Sequence, residues 1–241
     1  MDNPAIPRDD TAFSPTHRVY ARLFNGSEPE LAARISALAA GMTPLKEPDE
    51  KFKGLEWPPD EYRGLHSPPL PLAIIQFLVR LSRPKRMLEI GTFVGISACS
   101  FAEVLPPGAK LISLEKFDLF AGIARRNVER FGWTSKVDVI CCDAFEWLAG
   151  AVKREERFDV IFLDGNKDRY DEYFFVLDKL LDPGGLLIVD DVFFIGDALN
   201  DPPVTDKAQG VRRLLEVAAK REDYDKVLVP VCDGTLLMYK R

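Results

Sequence analysis

Histidine and cysteine are scarce, two and four in 241 residues. His17 and His66 are too few for a His-rich zinc site. Cys99, Cys141, Cys142 and Cys232 contain no CxxC pair, and Cys141 and Cys142 adjoin in an apolar run, where strand geometry sends them to opposite faces. They are expected as small buried hydrophobes of a reducing compartment. No apolar run approaches the roughly 20 residues of a membrane helix. The opening "MDNPAIPRDD" lacks the basic start and apolar core of a signal peptide. A cytoplasmic chain without membrane contact is therefore expected. Surplus basic charge is also missing: 32 Lys and Arg against 38 Asp and Glu leave a formal −6. Non-specific grip on a phosphate backbone needs the opposite sign, so nucleic acid is disfavoured as a partner. Internal repeats and low-complexity tracts are absent.

What is present divides at about residue 67. Residues 1–67 read as a helical arm followed by a cover. "THRVYARLF" and "SEPELAARISALAAG" predict two helices, the second with Ser27 as N-cap, Glu28 and Glu30 in the first turn and Gly41 as stop. Met42 to Pro71 is rich in Pro and charge but carries Phe52, Trp57 and Tyr62, more aromatic surface than a free linker holds, so it is expected to pack on the main domain.

Residues 68–241 alternate. A helix through "LAIIQFLVRL" precedes the apolar runs "RMLEI", "KLISLE", "KVDVICC", "FDVIFLD" and "LLIVDD", which are separated by helical stretches. Pro183-Gly184-Gly185 is expected to end the helix before the last run and turn the chain. "KVLVPVC" and "TLLMYKR", split by Asp233-Gly234, predict a closing hairpin. Near-continuous apolar strands alternating with helices predict a doubly wound α/β fold: a mostly parallel seven-stranded sheet covered on both faces, with an antiparallel C-terminal hairpin. Ligands of such sheets bind at the carboxyl ends of the strands, near the topological switch.

Two constellations fall at those ends. After the first strand, "LEIGTFVGIS" supplies Glu89, Gly91, Thr92, Gly95 and Ser97, a tight turn into a helix that lets a ligand approach the backbone. It has one glycine fewer than the GxGxxG of a dinucleotide site. Glu115 ends the second strand, where an acid can accept from both ribose hydroxyls. Asp143, before Ala144, reads as facing an adenine ring, as the N-cap of "AFEWLAG", or as both together. On the other side, the fourth strand ends in "FLDGNKDRY" and the fifth in "LIVDDVFFIG". Neighbouring strands would cluster Asp164, Asp190 and Asp191, and carboxylates repel unless neutralised, which points to a hard divalent cation: Mg²⁺, or Ca²⁺ or Mn²⁺. Lys167 is three residues past Asp164 and, in a helical turn, shares its face. A Lys close to a metal cation is pushed toward the neutral amine of a general base.

"LEIGTFVGIS", "SLE" and "CDA" resemble the cofactor motifs of class I methyltransferases with their Rossmann-like fold. "FLDGNKDRY" and "LIVDDVFFIG" resemble those of the metal-dependent O-methyltransferases, the group of catechol and caffeoyl-CoA O-methyltransferases, and the likeness runs from about His66 to Lys240. The resemblance implies S-adenosylmethionine as cofactor, with Glu115 on its ribose and Gly91 and Ser97 near its methionine portion. It implies Asp164, Asp190 and Asp191 as metal ligands, Lys167 with Asp164 as the catalytic pair, a small phenolic or catechol acceptor and a homodimer. Where the family commonly has Asp-Asn, this chain has Asp190-Asp191, one negative charge more. Trp57, Tyr62, His66, Phe193 and Phe194 are candidate acceptor-pocket residues, with plain packing as the alternative for each. Rival readings are a methyltransferase acting on hydroxylated tRNA uridine, a nicotinamide-dependent oxidoreductase and a non-catalytic binding protein.

Overall fold

The computed structural model describes Met42 and residues 45–241. The predicted arm helices, Ser27, Gly41 and His17 lie outside the described residues. In chain order the main elements are α1 (Pro69–Ser82), β1 (Arg86–Ile90), α2 (Ile96–Val104), β2 (Lys110–Glu115), α3 (Asp118–Arg130), β3 (Val137–Cys141), α4 (Ala144–Lys153), β4 (Phe158–Leu163), α5 (Tyr170–Leu180), β5 (Leu181–Val189), α6 (Asp206–Ala219), β6 (Tyr224–Val229) and β7 (Thr235–Lys240). The strands form one seven-stranded sheet in the order β3-β2-β1-β4-β5-β7-β6. β1 to β5 run parallel, and β7 pairs antiparallel with both β5 and β6.

The physical basis is burial on both faces. Met87, Leu111, Val160 and Phe162 join Ile75 of α1, Phe101 of α2 and Ala124 of α3 in one core layer. The alternate strand residues Leu88, Ile90, Ile161 and Leu163 join Leu148 of α4, Phe174 of α5 and Leu214 of α6 in the other. Period-two alternation thus feeds two apolar layers at once, which is why the strands read as unbroken apolar runs.

β5 begins earlier than its sequence suggests. Leu181 already pairs with Phe158, the register shifts between Phe158 and Val160, and pairing resumes at Leu186. The Pro-Gly-Gly stretch is absorbed as an irregularity within the strand, and a Cβ on Gly185 would lie 2.7 Å from the Asp182 carbonyl oxygen, so the kink needs glycine there.

Leu45–Arg241 form one compact unit. Phe52 and Leu55 are buried in the first core layer. Asn127 of α3, fully buried, ties this segment down. Its Oδ1 accepts from Glu56 N at 2.8 Å, and its Nδ2 donates to Glu56 O and Val94 O, both at 2.9 Å. One side chain therefore joins the 52–57 segment to the turn after β1. The strand order reverses between β1 and β4, and the site lies at the carboxyl ends of those strands.

Candidate active site

At the end of β1 the chain must pass very close to the end of β4. Gly91 has φ +98°, and a Cβ there would lie 2.1 Å from the Asp164 carbonyl oxygen, so no side chain is tolerated. Gly91 N and Thr92 N donate to Leu114 O at 3.0 and 3.2 Å. Thr92 is buried, its hydroxyl 2.5 Å from that of Ser113. Gly95, at φ +85°, opens α2 with α3 closely packed behind it: a Cβ would meet Ala124 at 3.3 Å.

Two carboxyl groups stand behind this turn. Glu89 is fully buried and accepts from Ser113 Oγ through Oε2, while Oε1 has no hydrogen-bond partner. Burial pushes its pKa up to about 8. Glu115 accepts from Phe93 N at 2.8 Å and from Phe117 N at 2.9 Å, which leaves further lone pairs on both oxygens. Burial raises its pKa against those hydrogen bonds. Asp143 caps α4, accepting from Phe145 N at 2.9 Å and Glu146 N at 3.3 Å, and Ala144 follows it half-buried.

The acidic constellation converges as the spacing suggests. Lys167 Nζ lies 2.9 Å from Asp164 Oδ1 and 3.0 Å from Asp191 Oδ2. Asp190 is buried; its Oδ2 accepts from Ser67 Oγ and its Oδ1 from Thr235 Oγ1, each at 3.2 Å. Tyr170 donates to the Asp190 carbonyl oxygen at 3.3 Å. Asp191 adopts φ +55°, the left-handed region that Asp and Asn tolerate better than most residues. Burial raises Asp164 to about 6 and Asp190 well above the usual carboxylate range, and the charge of Asp191 pushes both the same way. Burial opposes the charge on Lys167, but the carboxylates of Asp164 and Asp191 outweigh it and hold the side chain as an ammonium.

The residues fit a divalent cation in donor type and in charge. Two of the three carboxyl groups share a single ammonium and the third, Asp190, is met by hydroxyls, and their oxygens are the ligands hard cations prefer. As the side chains lie, with Lys167 between two of them, no group of three acid, His or Cys side chains among the described residues is gathered tightly enough to hold an ion. A purine-ribose-methionine cofactor is likewise fitted by the close-approach turn at Gly91, the Glu115 carboxylate and the unpartnered buried oxygen of Glu89.

A small cleft brings Gly91, Thr92, Ser97 and Asp164 together with His66 and Ser67. Glu89, Gly95, Glu115, Asp143 and Ala144 do not line that cleft. Among the pocket candidates, the Trp57 and His66 rings lie 5.4 Å apart, and Tyr62 meets Phe120 at 5.3 Å. Ser67 and Thr235 escape sequence reading. Ser67 sits between Leu65-His66 and Pro68-Pro69 with no motif around it, and Thr235 is marked only by the Asp233-Gly234 turn before it.

Residues 71–241 match a family model described as O-methyltransferase. The catechol O-methyltransferase of Niastella koreensis is 36% identical over 140 residues, which cover 58% of this chain and 63% of the relative, less than two thirds of its length. The probable caffeoyl-CoA O-methyltransferase 3 of Dictyostelium discoideum is 25% identical over 180 residues, covering 68% and 72%. Among solved structures, the O-methyltransferase TomG of Streptomyces achromogenes, in complex with SAM, superposes with a TM-score of 0.72 at 27% identity, covering 86% of this chain and 96% of that one. The O-methyltransferase of Bacillus cereus, in complex with SAH, superposes with a TM-score of 0.69 at 25% identity, covering 87% and 97%.

Proposed function

This chain belongs to the O-methyltransferase family, and on that premise we propose that it transfers the methyl group of S-adenosylmethionine to one hydroxyl of a small vicinal diphenol. In this reading Asp164, Asp190 and Asp191 hold a divalent cation, Mg²⁺ or alternatively Ca²⁺ or Mn²⁺. The observation that carries it is the juxtaposition of the Gly91 turn with the Asp164–Lys167–Asp191 cluster at the β1–β4 switch. Membership of this family leaves the nicotinamide-dependent alternative without support, and a formal charge of −6 weighs against a tRNA acceptor.

Glu115 would receive the ribose hydroxyls, and Glu89, Gly91, Thr92, Gly95 and Ser97 would surround the methionine portion. Asp143 and Ala144 would border the adenine, Asp143 keeping its capping bonds as well. When bound, a divalent cation supplies Lewis acidity that lowers a phenolic pKa from its usual value of about 10. The methyl carbon leaves the sulfonium sulfur and bonds to the acceptor oxygen, and S-adenosylhomocysteine departs. Lys167 Nζ is the candidate to take up the hydroxyl proton once the two carboxylates no longer bind it as an ammonium. Ser67 and Thr235 hold Asp190 in position through its two oxygens. The rest is orientation, which can account for a large share of the acceleration. A homodimer and a cytoplasmic location belong to the same proposal.

The test is methyl transfer to a panel of catechols with Mg²⁺ and with EDTA. Turnover that EDTA abolishes supports the whole reading. Turnover indifferent to EDTA keeps the methyltransferase and removes the metal site. A chain that binds S-adenosylmethionine and methylates no catechol overturns the acceptor assignment.

A further inference from the structure

The segment after Asp191 is held in a conformation its residues do not favour. Asp191, Phe194 and Ile195 have φ of 55°, 45° and 56°, and Gly196 follows at 83°. A left-handed backbone is a clear departure for β-branched Ile195, and such departures persist only where the surroundings dictate them.

The turn between β6 and β7 does the dictating, almost residue by residue. Thr235 Oγ1 donates to Asp190 Oδ1 at 3.2 Å. Gly234 O accepts from Val192 N at 3.0 Å, and Asp233 O from Phe193 N at 2.7 Å. The Asp233 carboxylate takes Ile195 N with both oxygens, at 2.8 and 2.6 Å. A Cβ on Gly234 would lie 2.7 Å from the Phe193 ring, so the ring packs directly on the turn's backbone. What this pinning presents is apolar and outward. Ile195 is 72% exposed, and Phe194, whose N–H donates to Asp191 O at 3.1 Å, is half-buried beside it. Core packing does not explain a strained loop whose tip shows an aliphatic side chain to solvent.

We infer that Asp233 is a positioning residue for acceptor specificity: by pinning Ile195 N it fixes the Phe194–Ile195 rim beside Asp191, and that rim sets which of two adjacent hydroxyls of the acceptor ring meets the methyl group. The inference rests on the diphenol reading above. A flat ring has two ways to present a pair of neighbouring hydroxyls to one transfer point, and what distinguishes them is where the rest of the ring packs. An apolar rim of fixed position discriminates between those poses, whereas a loose one averages them.

The experiment is the product ratio from an unsymmetrical diphenol, 3,4-dihydroxybenzoate, with the full chain, S-adenosylmethionine and Mg²⁺. Asp233→Ala should move the 3-O to 4-O ratio by about threefold or more, and Ile195→Ala should move it too. Asp233→Asn, which keeps an oxygen acceptor for Ile195 N, should stay near the wild-type ratio. Calorimetry should give the same S-adenosylmethionine affinity in all three. A ratio does not depend on how much protein is folded, so a stability loss cannot imitate the effect. Wild-type turnover with a ratio unchanged in both alanine variants overturns this inference and leaves the acceptor reading intact. A wild-type chain that methylates no diphenol overturns the acceptor reading and this inference together.

Discussion

A Cβ on Gly210 would lie 2.3 Å from the carbonyl oxygen of Lys167 and 2.4 Å from that of Asp168. α6 therefore rests directly on the short turn that carries Lys167. Arg213, further along the same helix, donates to the Asp168 carbonyl oxygen at 2.7 Å and pairs with Asp171. Gly210→Ala should push that turn off α6, with an overpacking cost of about 1–3 kcal/mol. Turnover should fall by roughly tenfold, the cost of about 1.4 kcal/mol in the barrier, while S-adenosylmethionine affinity holds. Calorimetric unfolding and turnover on one preparation check it, and wild-type values in both would show that the contact does not fix Lys167.

Lys167 is also the cation between Asp164 and Asp191. Lys167→Met leaves those carboxylates facing one another without compensation. Breaking a buried pair on one side costs on the order of 3 kcal/mol or more. Added Mg²⁺ should then raise the melting temperature of the variant more than that of the wild type, because an ion bound only to the folded state stabilises it. A melting temperature indifferent to Mg²⁺ in both proteins would count against a cation at these carboxylates, independently of any activity.

Glu89 gives a pH prediction. Its pKa is pushed up to about 8 by burial, against an ordinary 4.5. The unfolded chain releases this proton near 4.5 while the folded chain keeps it until about 8. The folded state binds the extra proton across that window, so its stability falls as pH rises from about 4.5 to about 8. Glu89→Gln, neutral throughout, removes this contribution. The variant's melting temperature should gain on the wild type steadily across the window, and parallel curves would refute the assignment.

Asn127→Ala removes the partner of Glu56 N, Glu56 O and Val94 O at once. Each buried group left unsatisfied costs about 1–3 kcal/mol. A loss of about 2–4 kcal/mol in denaturant unfolding is expected, together with weaker cofactor binding through the turn at Val94. Unchanged cofactor affinity would mean that the 52–57 segment and the turn are energetically separate.

The alternation of strand and helix is legible because strands buried on both faces become unbroken apolar runs, as Leu111 and Leu114 of β2 illustrate on opposite layers. The start of β5 is not. Asp182-Pro183-Gly184-Gly185 has the chemistry of a turn, and only pairing with β4 reveals that the sheet tolerates it. In the site, Asp164, Lys167 and Asp191 are legible because each follows a strand end closely. Ser67 and Thr235 reach Asp190 from segments distant in sequence, and a single hydroxyl leaves no pattern to read. For Asp143 the capping alternative is realised geometrically. The expectation of a neutral Lys167 rests on a neighbouring cation, whereas two carboxylates within 3.0 Å favour the charged form.

The hairpin turn that shapes the loop after Asp190 also imposes an order on biosynthesis. The Val192–Ile195 loop leaves the ribosome before Asp233, Gly234 and Thr235 exist to bond with it. β5 likewise emerges with one flank open, since β7 is translated later yet lies between β5 and β6. During that interval Phe193, Phe194 and Ile195 have no template. The turn around Gly91 draws on segments already translated by then, whereas the loop after Asp190 still lacks the groups that hold it.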